Sequence, residues 1–288
     1  MTAATLATDT VTTARTLLFV PGHRPDRFAK ATASGADGII LDLEDAVGPN
    51  RKDEARQAVR EWLDQGGAGV VRINPPGTDW YDADLAALAG QPRTIMLPKA
   101  TPQAVADLAG RLHPGSVIIP LIETAAGVLD ARATATAPGV IRLALGNVDL
   151  GAELGIDPDD HRALLIARST LVLAAAAAGI APPIDGVTTA VDDHPALTLD
   201  VRQALSLGFT GKLCIHPRQI NSAHQAFAPT DEQLRQSRRI IEAAGDGDVT
   251  VLDGKMLDKP VIERARRTLA RATVDSKAPT ITQLGIRS

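Results

Sequence analysis

The chain has 288 residues, of which 44% are hydrophobic and 22% charged, and its formal net charge is -4. That length supports a sizeable core in one large domain or two ordinary ones, and the balance excludes a disordered tail or a membrane-embedded protein. The mild negative charge and an aromatic content of only 2% argue against a nucleic-acid partner and a polybasic membrane role.

Residues 1–14 are rich in Thr and Ala, without the basic start and apolar run of a signal peptide, and are expected to be disordered. From Thr16 to Ala226 short β-branched runs alternate with Ala-rich helical patterns. The expected strands are Thr16–Val20, Gly38–Leu43, Val70–Asn74, Thr94–Pro98, Ser116–Glu123, Val140–Gly146, Pro183–Val187 and Gly211–His216. The helical patterns between them include Arg51–Leu63, Pro102–Leu112, Asp160–Ala178 and Pro195–Leu207. Alternation of this kind implies parallel strands with helical crossovers. Eight units at a mean spacing of about 28 residues match a closed (β/α)8 TIM barrel of about 250 residues, placed here at 15–229. Pro182 and Pro183 make the seventh strand the weakest of the set. An open doubly wound sheet is the alternative, but no Gly-x-Gly-x-x-Gly turn follows any strand.

From Thr230 the alternation stops. Asp231–Ala244 and Val261–Ala272 read as helices of a C-terminal helical extension over 230–275, separated by a turn-rich break, and 276–288 read as a tail. Cys214, the single cysteine, lies inside an apolar run, so no internal disulfide forms and the thiol reads as core. The longest apolar stretch, Leu164 to Ile180, is interrupted by Arg168 and Ser169 and is too short to span a bilayer. A soluble protein of the cytoplasm, with no membrane partner, is the expectation.

Several apolar runs end in charge. Glu44, Asp45, Arg72, Lys99, Glu123, Asp149, Asp185 and His216 fall at or just past expected strand ends. In a barrel of this type those ends share one face, which carries the active site. Any one of them alone reads as a loop contact or salt bridge; eight on one rim point to a site. Glu123 and Asp149 come from neighbouring strands and can share a ligand. With no His-x-x-x-His or Cys-x-x-Cys in the chain, two carboxylates suit Mg²⁺, which prefers oxygen and keeps part of its water shell. The competing reading pairs either acid with Arg72 or Lys99. Arg72 offers a planar fork for a substrate carboxylate, or a structural pair with Glu44 or Asp45. Together they suggest a small 2-oxo or 2-hydroxy acid whose carbonyl a metal would polarise.

At these residues the chain resembles the citrate lyase β-subunit-like family of the HpcH/HpaI aldolase superfamily, from Leu17 to about Ala270. The carriers are Leu18-Phe19-Val20-Pro21-Gly22-His23-Arg24-Pro25-Asp26-Arg27-Phe28, Leu41-Asp42-Leu43-Glu44-Asp45-Ala46-Val47, Val71-Arg72-Ile73-Asn74 and Leu97-Pro98-Lys99. Leu121-Ile122-Glu123-Thr124, Gly211-Lys212-Leu213-Cys214-Ile215-His216-Pro217 and Gly254-Lys255-Met256-Leu257-Asp258-Lys259-Pro260 complete the set. Each motif is weak alone; the ordered series is specific.

The resemblance implies a Mg²⁺-dependent barrel that makes or breaks a carbon–carbon bond beside an acyl thioester. It implies Glu123 and Asp149 as metal ligands and Arg72, with Glu123, at the substrate. Glu44 and Asp45 would orient Arg72 and the metal's waters. Asp258 would be the general acid/base, delivered by the extension of a neighbouring subunit in a homotrimer or hexamer. Arg27, Lys30, His216 and Pro217 would receive the coenzyme A nucleotide. Many members carry an acid before the second metal ligand, where this chain has Val148; that leaves the preferred acyl group open. The alternatives are a citrate lyase β-subunit acting on an acyl carrier protein, a malyl-coenzyme A thioesterase, a sugar-acid aldolase, and a non-catalytic acyl-coenzyme A binding protein.

Overall fold

The structure is a computed structural model and describes residues 10–245 and 250–275. The first nine residues and the expected tail at 276–288 lie outside that range. By its contacts the chain divides into two compact units, residues 1–224 and 225–288.

The first unit is a closed barrel of eight parallel strands in sequence order. They are β1 (Thr16–Pro21), β2 (Gly38–Asp42), β3 (Val70–Arg72), β4 (Thr94–Leu97), β5 (Val117–Ile122), β6 (Arg142–Leu145), β7 (Ala181–Asp185) and β8 (Gly211–Cys214). β1 closes the ring against β8, with Thr16 opposite Lys212. All eight expected strands are present, each within a few residues of its expected bounds, including β7 with its two prolines. The pairing of β6 with β7 is irregular in register there, as expected where prolines remove ladder donors.

The helices, in chain order, are α1 (Phe28–Thr32), α2 (Lys52–Asp64), α3 (Tyr81–Leu88), α4 (Pro102–Arg111), α5 (Ala125–Leu129) and α6 (Ala131–Ala135). They continue with α7 (Asn147–Leu154), α8 (Leu165–Ala178), α9 (His194–Leu207) and α10 (Arg218–Phe227). Their starts follow local chemistry. Thr101 caps α4, its hydroxyl accepting from the Ala104 N–H at 3.2 Å, and Asp193 caps α9 through the Ala196 N–H at 2.9 Å.

Strand residues buried on both faces explain the apolar runs. Leu17, Ile40, Val70, Met96, Ile119, Leu121, Ala144, Ile184 and Leu213 form one cluster inside the barrel, joined by Val11 and Ala14. Those last two correct the expectation of disorder for residues 10–14. Residues 10–13 are helical, and Val11 and Ala14 are buried. Arg142, fully buried at the start of β6, donates to the Val11 and Ala14 carbonyls at 3.0 and 2.7 Å. Burial pulls its pKa down to about 9. The Thr/Ala-rich composition hid this segment because only two of its side chains reach the core.

Asp185, Arg168 and Lys212 form a second buried charge group. Asp185 accepts from Arg168 Nε at 2.9 Å and from Lys212 Nζ at 3.0 Å. Burial opposes the charge on Asp185, but the two cations outweigh it and hold its pKa below the usual carboxylate range.

The second unit contains α11 (Asp231–Ala244), the antiparallel pair β9 (Thr250–Leu252) and β10 (Lys255–Leu257), and α12 (Lys259–Asp275). Thr230 and Gln233 form a capping box at the start of α11. Asp253 and Gly254, at φ 50° and 74°, turn β9 into β10, the two left-handed positions that a tight hairpin demands. Among the described residues no helix is long and apolar enough to cross a membrane.

Candidate active site

A cavity of about 550 Å³ opens at the C-terminal ends of the barrel strands. Arg72, Asp42, Asp45, Glu123 and Asp149 line it. Five of the eight charges read from the sequence, namely Glu44, Asp45, Arg72, Glu123 and Asp149, therefore gather at or directly against this cavity. Lys99 stands beside them. Asp185 does not line it, because its carboxylate is taken by the buried pair with Arg168 and Lys212.

Arg72 ends β3. Its Nε and Nη2 both donate to Asp42 at 2.7 Å, a bidentate pair in which Asp42 is fully buried. Nη1 lies 3.0 Å from Glu44 and 3.3 Å from Asp45, whose side chain is 61% exposed. The Phe19 ring lies 4.7 Å from the guanidinium carbon. Burial disfavours the charge on Arg72, yet the bonds and charges of Asp42, with Glu44 and Asp45, more than offset it and raise its pKa. Asp42 also accepts from the backbone N–H groups of Glu44 and Ala46, at 2.9 and 3.0 Å. One carboxylate thus aligns the fork and shapes the turn that carries the next two acids.

Sequence reasoning paired Arg72 with Glu44 or Asp45 and passed over Asp42. The signal was present: Asp42 is the last residue of an otherwise apolar strand, where an unpaired charge would be costly. The same turn is tied down by Lys52 of α2, whose Nζ donates to the Leu43 and Glu44 carbonyls and to Asn74, at 2.6, 2.8 and 2.7 Å.

Glu123 follows β5 directly and precedes Thr124, which caps α5 through the Gly127 N–H at 3.0 Å. Its Oε1 accepts from the Lys99 backbone N–H at 2.8 Å. Lys99 is in the left-handed region at φ 48°, a strained conformation for a residue with a side chain. That strain aims its N–H at the carboxylate, and its Nζ reaches Glu44 at 3.1 Å and Glu123 at 3.8 Å. On the other side Glu123 abuts Gly146, where a Cβ would lie 2.5 Å from Glu123 Oε2. Gly146 is the N-cap residue of α7, and Asp149 sits in the first turn of that helix, where a carboxylate is favoured. Asn147, also missed from sequence, is buried and fixes the α7 start by accepting from Val187 N at 2.8 Å.

Burial, with the charges of Glu44 and Asp149, pushes the Glu123 carboxyl up to about 8. Burial likewise raises Glu44, against the pull of Arg72 and Lys99. The buried Glu44 Oε2 lies 3.0 Å from Arg72 Nη1 but makes no hydrogen bond. A cluster of acids this crowded is short of positive charge. Among the described residues no group of three or more His, Cys, Asp or Glu side chains is set to enclose a metal. Glu123 and Asp149, two carboxylates lining one cavity, fit a hard divalent cation that keeps several waters, and oxygen donors alone favour Mg²⁺.

The remaining sequence candidates lie elsewhere. Arg27 and Lys30 are exposed on the segment after β1, and His216 and Pro217 follow β8. Since β1 pairs with β8, these four occupy one arc of the same rim without lining the cavity. Asp258 belongs to the second unit, where its Oδ1 accepts from the Val261 N–H at 3.2 Å and so caps α12.

The model of the HpcH/HpaI aldolase/citrate lyase family matches residues 15–217. The chain belongs to this family. A (3S)-malyl-CoA thioesterase from Cereibacter sphaeroides is 34% identical over 268 residues, covering 90% of this chain and 94% of the relative. The CitE protein of Mycobacterium tuberculosis, solved in complex with magnesium, acetoacetate and coenzyme A, is 37% identical. It superposes with a TM-score of 0.81, covering 91% of this chain and 99% of that one. A citrate lyase β subunit from M. tuberculosis, complexed with oxaloacetate and magnesium, is 38% identical with a TM-score of 0.68 over 76% of this chain and 99% of the other.

Proposed function

We propose that this protein is a Mg²⁺-dependent carbon–carbon lyase that cleaves, or in reverse condenses, a 3-hydroxyacyl-coenzyme A bearing a carboxylate on its hydroxyl carbon. The observation that carries this reading is the meeting of Glu123, Asp149 and the Arg72 fork in one cavity at the C-terminal rim. The magnesium and coenzyme A in the M. tuberculosis CitE complex support it.

Glu123 and Asp149 would hold the cation, which when bound polarises the substrate oxygen as a Lewis acid. Arg72 would receive the substrate carboxylate on Nη1 in place of the exposed Asp45 carboxylate, its other edge being occupied by Asp42. Asp42, Glu44 and Asp45 hold that fork in place. In cleavage the hydroxyl gives its proton to water in the cavity and becomes the carbonyl of a 2-oxo acid. The electron pair of the breaking carbon–carbon bond moves into the thioester enolate, which then takes a proton. Asp258 would supply that proton from the extension of a neighbouring copy in a trimer or hexamer. Arg27, Lys30, His216 and Pro217 would meet the coenzyme A nucleotide.

The likeness to a malyl-CoA thioesterase favours one second reading, hydrolysis of the thioester. Incubating the protein with malyl-, citramalyl- and citryl-coenzyme A, with Mg²⁺ or EDTA, separates the two by mass spectrometry. A 2-oxo acid with a shortened acyl-coenzyme A supports the lyase; free coenzyme A without a 2-oxo acid supports hydrolysis. Cleavage that persists in EDTA would remove the metal from the reaction. Activity restricted to carrier-bound substrate would identify a citrate lyase subunit.

Two further results are expected. Gly146→Ala would force Glu123 aside and weaken divalent-cation affinity about 10–100-fold, measured by Mn²⁺ titration with electron paramagnetic resonance. Unchanged affinity would take Glu123 out of the cation site. Arg72→Lys would impair substrate binding and turnover, since an ammonium cannot reproduce the planar fork held by Asp42. Wild-type kinetics in that variant would refute a role for the fork.

A further inference from the structure

Arg72 and Lys99 both reach acids of the site, and they are held differently. Arg72 is locked by Asp42, which accepts from Nε and Nη2 at 2.7 Å. The Lys99 side chain is 44% exposed, and its ammonium lies 3.1 Å from Glu44 Oε1 and 3.8 Å from Glu123 Oε1. The longer distance is outside hydrogen-bond range, so Glu123 and the ammonium attract each other by charge alone. The charge of Asp149 acts on the same ammonium.

We propose that Lys99 is the internal counter-ion of the cation site, its ammonium competing with the divalent ion for Glu123 and setting how tightly that ion is held. The inference rests on the reading of Glu123 and Asp149 as the cation's ligands and adds a basic residue that opposes the ion.

The Glu123 side chain is only 1% exposed, and a carboxylate so deeply placed needs positive charge beside it. Lys99 supplies that charge without lining the cavity, whereas Glu123 and Asp149 both line it. The competition is therefore one of charge rather than of space. The ammonium is also free to yield. Its side chain reaches solvent and Glu44 is its nearer partner, so a divalent ion at Glu123 would repel it toward Glu44 and water. The orientation of Glu123 does not depend on the ammonium. The Lys99 backbone N–H, turned by a φ of 48°, donates to Glu123 Oε1 at 2.8 Å. One residue thus fixes the carboxylate through its main chain and opposes the ion through its side chain, and a substitution can separate the two.

Mn²⁺ titration of the full chain by electron paramagnetic resonance, beside thermal melts in EDTA and at saturating Mg²⁺, tests the assignment. Lys99→Met keeps the backbone N–H and an unbranched stem and removes the charge. It is expected to bind Mn²⁺ about 3–10-fold tighter than wild type, solvent at the half-exposed position trimming the Coulomb effect. In EDTA this variant should melt below wild type, because the acids have lost a counter-ion. Saturating Mg²⁺ should narrow that gap, since a ligand stabilises more the tighter it binds. Lys99→Arg keeps the charge and should bind Mn²⁺ as wild type does. A salt bridge with no part in ion binding would lower the melting temperature of Lys99→Met equally in both conditions and leave its Mn²⁺ affinity unchanged. That result would overturn the inference and leave the cation site standing, as would weaker binding in Lys99→Met or equal tightening in Lys99→Arg. If the wild-type protein binds no Mn²⁺, the cation reading falls and the inference with it.

Discussion

Asp258→Asn is expected to lower turnover by about 10²–10⁴ while leaving Mg²⁺ affinity and thermal stability near wild type. The structure makes this substitution unusually clean. Asp258 caps α12 by accepting from the Val261 N–H, and asparagine caps a helix about as well as aspartate. What Asn removes is a carboxyl group able to hold and release a proton. Asp258→Ala is the contrasting variant, because it removes the cap as well and would destabilise the second unit by about 1 kcal/mol. Steady-state cleavage rates beside thermal melts of both variants check the pair. Normal turnover in Asp258→Asn would return this residue to helix capping alone. A rate loss shared equally by both variants, with only Ala melting earlier, would separate the two roles.

How far these roles could be read from the sequence differs by element. The barrel was legible because strands buried on both faces leave continuous β-branched runs, such as Val117–Ile122, and because helical crossovers space them evenly. The charges at strand ends were legible for the same reason: Glu123 and Arg72 each follow or end an apolar run. The partners of those charges were not. That Asp42, the last residue of apolar β2, needs a partner was legible, but the spacing does not show that it, rather than Glu44 or Asp45 on the following turn, takes the bidentate edge of Arg72. Asp185 shows the converse. Its position at a strand end looked the same as that of Glu123, but Lys212 and Arg168 claim its carboxylate inside the protein. Lys212 precedes Leu213 on β8 and Leu213 lines the cavity, so one residue of register separates a structural pair from the site. Val11 and Ala14 were illegible because two buried side chains in a Thr-rich stretch leave no periodicity.

The bidentate pair of Asp42 and Arg72 leads to the other large effect. Asp42→Ala is expected to cost about 3–5 kcal/mol, because a buried guanidinium loses its main partner. Two backbone donors, on Glu44 and Ala46, lose their acceptor at the same time. Denaturant unfolding measures the loss, and a midpoint equal to that of wild type would show that the pair does not hold the rim together. Asp42→Asn keeps the volume but turns an amide N–H₂ toward donors, so Arg72 should swing from its place while Glu123 and Asp149 stay. KM for the carboxylate-bearing substrate would then rise with Mg²⁺ affinity unchanged, a split that a purely structural role would not produce. The decisive comparison is the double variant Asp42→Leu/Arg72→Met. Replacing both members of a buried pair with apolar side chains of similar volume is often neutral or stabilising. The double variant should therefore recover much of the stability lost in Asp42→Ala and none of the activity. Recovery of both would mean that the fork serves the fold alone. Recovery of stability without activity would mean that a charge pair costly to bury persists at the end of β3 because the substrate needs the guanidinium nitrogen that Asp42 leaves to Glu44 and the exposed Asp45.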